Sequence, residues 1–355
     1  MKTITNNNYQ IIFDNSLESL KAIIAKKPYS KIFILTDEVT GSVCLPVFQA
    51  KLPDFDTIDI IEVPNGEENK TIDFCIGIWR MLLDFEADRS ALLINLGGGV
   101  VTDMGSFAAS TFKRGIDFLQ IPTTLLSQVD ASVGGKTGID MDNVKNVIGT
   151  FAQPQAVIIA TDFLKTLDQR QIVSGFAEVI KHGIIADSAF FNEIIAIEKP
   201  EEITEDQIYH SIEIKNKVVI ADPFEKGLRK TLNYGHTIGH AIESWSLRNN
   251  KKPLLHGEAI AIGMICEAYL AKELLGLPES DLEIIAQAFL KYFDKYDIKT
   301  GIEHDLLEIM QNDKKNVAGK INFSLPDKIG NCQFDIFADE QLIKDSLNFY
   351  RDLES

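Results

Sequence analysis

Five short runs rich in β-branched and apolar residues recur along the first 160 residues, and helix-patterned stretches separate them. They are KIFILTD (31–37), TIDIIEVP (57–64), SALLINLGGG (90–99), DFLQIPTT (117–124) and QAVIIATD (155–162). Between two of them, TIDFCIGIWRMLLDFEAD (71–88) repeats its apolar positions at helical spacing. Strand, helix, strand in succession constrains the chain to a parallel sheet with helices on both faces. Several runs end at an Asp or at glycines, and ligands of such sheets bind beyond the carboxyl ends of the strands.

From about residue 165 the period changes. Apolar residues recur at helical spacing through 171–186, 190–197, 203–220, 237–248, 257–275, 281–294 and 303–312, and the next strand-like run is INFSL at 321–325. The pattern predicts an α/β domain over residues 1–165 and a mainly α-helical domain over 166–355. A chain of 355 residues is long for one core, which agrees with that division. The formal net charge of −17 argues against general nucleic-acid binding, which relies on a basic surface. Cys44, Cys75, Cys266 and Cys332 show no CxxC spacing and read as free thiols of a reducing compartment. The polar start MKTITNNNYQ is unlike a signal peptide, and no apolar run is long enough to span a bilayer. The expectation is a soluble cytoplasmic protein with no membrane partner.

Three segments carry chemistry. Gly97-Gly98-Gly99 ends a strand and opens a helix, where glycine lets the backbone approach a ligand and free N–H groups favour a phosphate. The spacing is not GxGxxG, so a tight turn alone explains it equally well. Asp130-Ala-Ser-Val-Gly-Gly-Lys136-Thr137 is followed by Val144-Lys145-Asn146-Val-Ile-Gly149, a plausible cradle for phosphate or carboxylate without Walker spacing. Finally, GFAEVIKH (175–182), RKTLNYGHTIGH (229–240) and LHGE (255–258) bring Glu178, His236, His240 and His256 forward as candidate metal ligands. Three nitrogen and oxygen ligands with one open position are what a catalytic zinc requires. HxxxH alone does not say which of the four bind.

Taken in order, GGGVVTDMGSFAASTFKRG, IPTTLLSQVDASVGGKTGID, KNVIGTF, GFAEVIKHG, LNYGHTIGHAIE, LHGEAIAIGM and DKKN resemble the 3-dehydroquinate synthase family of sugar-phosphate cyclases. The resemblance spans roughly residues 30–330. It implies a Rossmann-like, NAD-binding N-terminal domain and a helical zinc- and substrate-binding C-terminal domain. It implies Glu178, His236 and His256 as metal ligands, with Zn2+ the expected ion and Co2+ a possible substitute. Asp37, Glu67, Lys70, Gly98, Gly99, Val100, Asp103, Thr123, Thr124, Lys136, Lys145 and Thr166 would line the NAD site. Asp130, Lys136, Asn146, Lys181, Lys215, Arg229, Asn233, His240 and Lys314 would act on the substrate. Arg114 would reach the substrate phosphate across a homodimer interface.

The implied reaction converts 3-deoxy-D-arabino-heptulosonate 7-phosphate, a small anionic sugar phosphate, to 3-dehydroquinate and phosphate, with NAD used catalytically. A substrate with both a carboxylate and a phosphate accounts for clustered Lys and Arg in an acidic chain. One departure is the link Gly-Ile-Asp-Met-Asp-Asn-Val before Lys145, where many family members carry an Asn and a Pro-Leu-Gly run. Competing readings are a sister cyclase making 2-deoxy-scyllo-inosose or valiolone, a metal-dependent polyol dehydrogenase, and a catalytically dead binding protein.

Overall fold

The apolar runs of the first half become strands because packing covers both faces of four of them and one face of the fifth, residues 59–63. In the computed structural model, which describes residues 2–55, 58–141, 144–311 and 321–354, the chain divides into two units, Met1–Asp168 and Gln169–Ser355. Strands of the first are β1 (Lys2–Thr5), β2 (Gln10–Phe13), β3 (Ile32–Asp37), β4 (Asp59–Val63), β5 (Leu92–Gly97), β6 (Asp117–Pro122), β7 (Ile139–Met141), β8 (Val144–Ile148) and β9 (Ala156–Ile159). Its helices are α1 (Glu18–Ile24), α2 (Glu38–Val43), α3 (Leu45–Lys51), α4 (Ile72–Asp84) and α5 (Gly99–Thr111).

Seven strands form one sheet in the order β1-β2-β9-β6-β5-β3-β4, parallel throughout except between β1 and β2. Side-chain alternation splits β3 between two cores. Phe33 and Leu35 pack with Ile78, Val101 and Met104 of α4 and α5. Ile34, between them, packs with Leu20, Leu45 and Phe48 of α1 and α3 on the other face. Burying one such side chain contributes roughly 1.5–3 kcal/mol. α4 stops at Asp84 rather than continuing to 88, because Glu86 is left-handed (φ 56) and Ala87 N donates back to Leu82 O, closing the helix. The strand order reverses at β3, which has β4 on one side and β5 on the other. That switch point lies beyond Asp37 and Gly97, the place where open α/β sheets bind ligands.

The second unit holds α6 (Gln169–Ala186), α7 (Ser188–Ile195), α8 (Glu205–Ala221), α9 (His236–Asn249), α10 (His256–Leu275), α11 (Glu279–Tyr292), α12 (Glu303–Gln311) and α13 (Glu340–Asp352). An antiparallel hairpin, β10 (Ile321–Lys328) with β11 (Asn331–Ala338), joins them. α10 is buried on nearly every side, as Ile260, Ile262, Met264, Ile265 and Leu270 show. It meets α9 at glycines: a Cβ on Gly263 would stand 2.0 Å from the Gly235 carbonyl oxygen and 2.6 Å from Gly239 N. Gly257, at the start of α10, lies equally close to Ser174 of α6. Among the described residues, no helix is long and apolar enough to cross a membrane.

Candidate functional site

α6, α9 and α10 each deliver one group to a common point in the second unit. Glu178, in the middle of α6, is fully buried. Its Oε1 lies 3.6 Å from His236 Nε2 and 3.8 Å from His256 Nε2. His236 opens α9 and His256 opens α10. Two donors on one tetrahedral zinc ion stand roughly 3.4 Å apart, so this triangle is close to the size required. The Lys181 ammonium, one turn on along α6 and itself buried, contacts Glu178 Oε2. Among the described residues Oε1 accepts no hydrogen bond, which is costly for a buried carboxylate oxygen with no cation to meet. The donor set and this unsatisfied oxygen fit a divalent metal.

The imidazoles are held so that Nε2 faces Glu178. His236 Nδ1 donates to the Tyr234 carbonyl at 3.0 Å, and His256 Nδ1 meets Glu243 Oε2 at 3.3 Å. Carbonyl and carboxylate oxygens only accept, so each ring carries a proton on Nδ1, and in the neutral imidazole the Nε2 lone pair is left for a metal. His240 is one turn beyond His236 on the same helix face; its ring lies 5.1 Å from His236 and 5.7 Å from His256. The ligand nitrogens of these three histidines all fall within 4.8 Å of one another. Gly235 is left-handed (φ 81), and Glu267 of α10 caps the start of α9, accepting from Gly235 N at 2.6 Å and Ile238 N at 3.0 Å. A carboxylate at a helix N-terminus is electrostatically favoured.

Lys215 on α8 and Arg229 on the turn before α9 are also buried, as Lys181 is, so among the described residues three Lys and Arg side chains are buried in this unit. Arg229 Nη1 donates to Pro223 O at 2.7 Å and its backbone N to Asp222 Oδ2 at 3.1 Å. Asn233 Nδ2 donates to Glu225 Oε1 at 2.7 Å. Lys314, with the rest of Asp313–Asn316, lies outside the described residues.

In the first unit the sequence candidates gather at the carboxyl edge of the sheet. Gly98 caps α5, and Gly99 and Val100 begin it. A Cβ on Gly97 would meet Val101 at 2.6 Å, so the turn admits no side chain there. Thr123 N donates to Gly97 O at 3.0 Å, placing Thr123 and Thr124 beside the glycines. Asp37 ends β3 and caps α2, accepting from Thr40 N at 2.7 Å. Thr166 Oγ1 lies 3.6 Å from Cys44 Sγ. Lys70 donates to Asp103 Oδ2 at 2.6 Å and to Asn146 Oδ1 at 2.7 Å, while Lys145 donates to Glu67 Oε1 at 3.2 Å. Burial alone would lower Lys70; Asp103, Glu67 and Asp140 outweigh it and hold the ammonium above the ordinary Lys value. Asp130 sits in a π-helical turn (Ser127–Ala131), and Lys136 is an exposed residue after the glycine pair 134–135. Arg114 lies on an exposed turn where Lys113, Arg114 and Gly115 all have positive φ.

A family model described as 3-dehydroquinate synthase N-terminal matches residues 60–174, and its C-terminal companion matches residues 175–316. The chain belongs to the 3-dehydroquinate synthase family. It is 39% identical over 347 residues to a 3-dehydroquinate synthase of Parabacteroides distasonis, covering 97% of this chain and 98% of that one. A 2-deoxy-scyllo-inosose synthase crystallised with carbaglucose-6-phosphate, NAD+ and Co2+ shares the fold at TM-score 0.85 and 23% identity, covering 98% of this chain and 99% of that chain. So does a 2-epi-5-epi-valiolone synthase from Streptomyces hygroscopicus with NAD+ and Zn2+ bound, at TM-score 0.85 and 23% identity, covering 99% and 98%. This 3-dehydroquinate synthase family member is therefore an enzyme of the α/β-plus-helical cyclase fold. Residue-type reasoning passed over four groups around its candidate site: Asp140, Glu225, Glu243 and Glu267. Glu243 carried a usable signal, since it falls seven residues after His236 and so on the same face of α9. Asp140 and Glu267 accept from backbone N–H groups and Glu225 from the Asn233 amide out of a loop, contacts that leave no spacing to read.

Proposed function

We propose that this chain converts 3-deoxy-D-arabino-heptulosonate 7-phosphate to 3-dehydroquinate and phosphate, a lyase step of the shikimate pathway, using a divalent metal held by Glu178, His236 and His256 and NAD recycled within each turnover. Family membership over nearly the whole chain supports the reaction. The buried Glu178 carboxylate facing two Nε2 atoms is the observation that carries the metal assignment. Zinc is the expected ion and cobalt the alternative. Bound there, the metal would polarise a substrate hydroxyl, and the dinucleotide would take up and return a hydride.

The chain's own groups have separate tasks. Lys181, Lys215 and Arg229 supply positive charge from buried positions, where attraction to a carboxylate or phosphate is weakly screened. Arg229 can offer a bidentate fork that Lys cannot. Asn233, tied to Glu225, presents an amide at the start of α9. His240 stays out of the ligand set, because a fourth protein ligand would fill the position the substrate needs; its imidazole serves substrate contact or proton transfer. In the first unit, the N-terminus of α5 at Gly98 and Gly99 receives the dinucleotide phosphates. Asp37, Glu67, Lys70, Asp103, Thr123, Thr124, Lys145 and Thr166 line that site. A cytoplasmic homodimer, with Arg114 serving the partner's substrate, completes the reading.

Incubation with the heptulosonate phosphate and substoichiometric NAD tests it directly. Phosphate should be released over many turnovers without accumulation of NADH. NADH rising mole for mole with substrate loss would overturn the reading in favour of a dehydrogenase.

A further inference from the structure

Both imidazoles that face Glu178 are oriented from behind, but by different chemistry. His236 leans on a neutral backbone carbonyl of its own chain segment, 3.0 Å away at Tyr234. His256 meets a carboxylate from another helix, Glu243 Oε2 at 3.3 Å. Glu243 is only 3% exposed, so its charge is weakly screened by water. It shares a face of α9 with His236 and His240, so one helix delivers a ligand and the group that orients its neighbour's ligand.

We propose that Glu243 is a positioning residue for the metal: its carboxylate accepts a hydrogen bond from Nδ1 of His256, holds the ring with Nε2 toward Glu178, and makes that nitrogen a stronger donor to the ion. The inference rests on the reading that Glu178, His236 and His256 hold a divalent ion. A carboxylate partner makes an imidazole a stronger ligand than a carbonyl does, because it stabilises the partial positive charge that the ring acquires on metal binding. The two histidines are therefore unequal: His236 is placed by backbone, whereas His256 depends on a side chain that a single substitution removes.

The test is zinc affinity, measured on the full-length protein after metal stripping, by competition with a chromophoric chelator. Wild type, Glu243→Gln, Glu243→Ala and His256→Ala are compared, and the visible absorption of each Co2+-loaded protein is recorded. Glu243→Ala should weaken zinc binding about 10–100-fold and alter the Co2+ bands. Glu243→Gln should lose less, since its amide oxygen still accepts from Nδ1. Zinc affinities of both variants within about twofold of wild type would overturn the proposal. So would a lower melting temperature of the metal-free protein with affinity unmoved, which a purely structural Glu243 would produce. If the Ala variant does not fold, the Gln variant decides by the same criterion. Wild type that binds no zinc would sink the metal reading itself, an outcome distinct from unchanged variants.

Discussion

The separation of His236 from His256 is set by how closely α9 and α10 approach, and Gly263→Ala tests that control. The added Cβ would lie 2.0 Å from Gly235 O, 2.6 Å from Gly239 N and 2.9 Å from Gly239 Cα, whereas ordinary contact begins near 3.4 Å. All three atoms are backbone, so no side chain can swing aside. The helices must part locally by roughly 1 Å, and overpacking of this kind costs about 1–3 kcal/mol. For a unit of this size that is about 2–4 °C of melting temperature per kcal/mol. The second effect is larger in consequence. Gly235 directly precedes His236, and ligand distances tolerate only about 0.2 Å, so a parting of roughly 1 Å should degrade zinc binding more than stability. Thermal melts of metal-free protein, paired with chelator competition, separate the two. Gly263→Ala with wild-type melting temperature and wild-type zinc affinity would refute the reasoning that glycine contact sets the ligand spacing.

Two further predictions follow from other parts of the molecule. Lys70→Met removes the ammonium that Asp103 faces at 2.6 Å and should destabilise the first unit by about 3 kcal/mol. Because the Lys70 pKa is held above its ordinary value, its stabilisation is complete below about pH 10.4 and is lost as pH rises through the folded value. The gap in melting temperature between wild type and Lys70→Met should thus persist through neutral pH and narrow above pH ~10; equal melting temperatures at pH 8 would count against the pairing. For Arg114, inactive Arg114→Ala chains mixed with inactive Lys136→Ala chains should regain activity, since each mixed dimer would contain one intact site. Confirmed mixed dimers without activity would remove Arg114 from the partner's site.

Most strands legible in the sequence are buried on both faces, where long β-branched runs are unavoidable; β4, buried on one face and exposed on the other, is the exception. β1 and β2 are only four residues each, KTIT and QIIF, too short to separate from loop. β7 and β8 lie in the glycine and lysine segment that reads as an anion cradle, and their pairing is a property of the turn rather than of apolar pattern. β11 alternates exposed and half-buried residues, and α13 is largely polar, with Ile343, Ser346, Leu347 and Tyr350 alone making its buried stripe. At the proposed metal site, the sequence points to Glu178, His236 and His256 only through an ordered set of motifs, because two histidines four apart do not indicate which helix would supply a third ligand. What orients them is less visible. The Tyr234 carbonyl has no residue-type signature, and Glu267 reaches α9 from a helix that begins twenty residues after His236.

The pairing of β2 with β9 bears on how the polypeptide is made. Gln10 stands opposite Ala156 and Phe13 opposite Ile159, so residues 10–13 find this neighbour only after nearly the whole first unit has been synthesised. At about 5–20 residues per second that is a wait of roughly 7–30 s. Throughout it the apolar QIIF segment has only β1 to pair with. Once docked, the same segment shields the flank of β9, whose residues AVII would otherwise present an unpaired, hydrophobic edge to other chains. A deletion that removes the first thirteen residues should therefore be felt first as self-association of nascent or refolding chains.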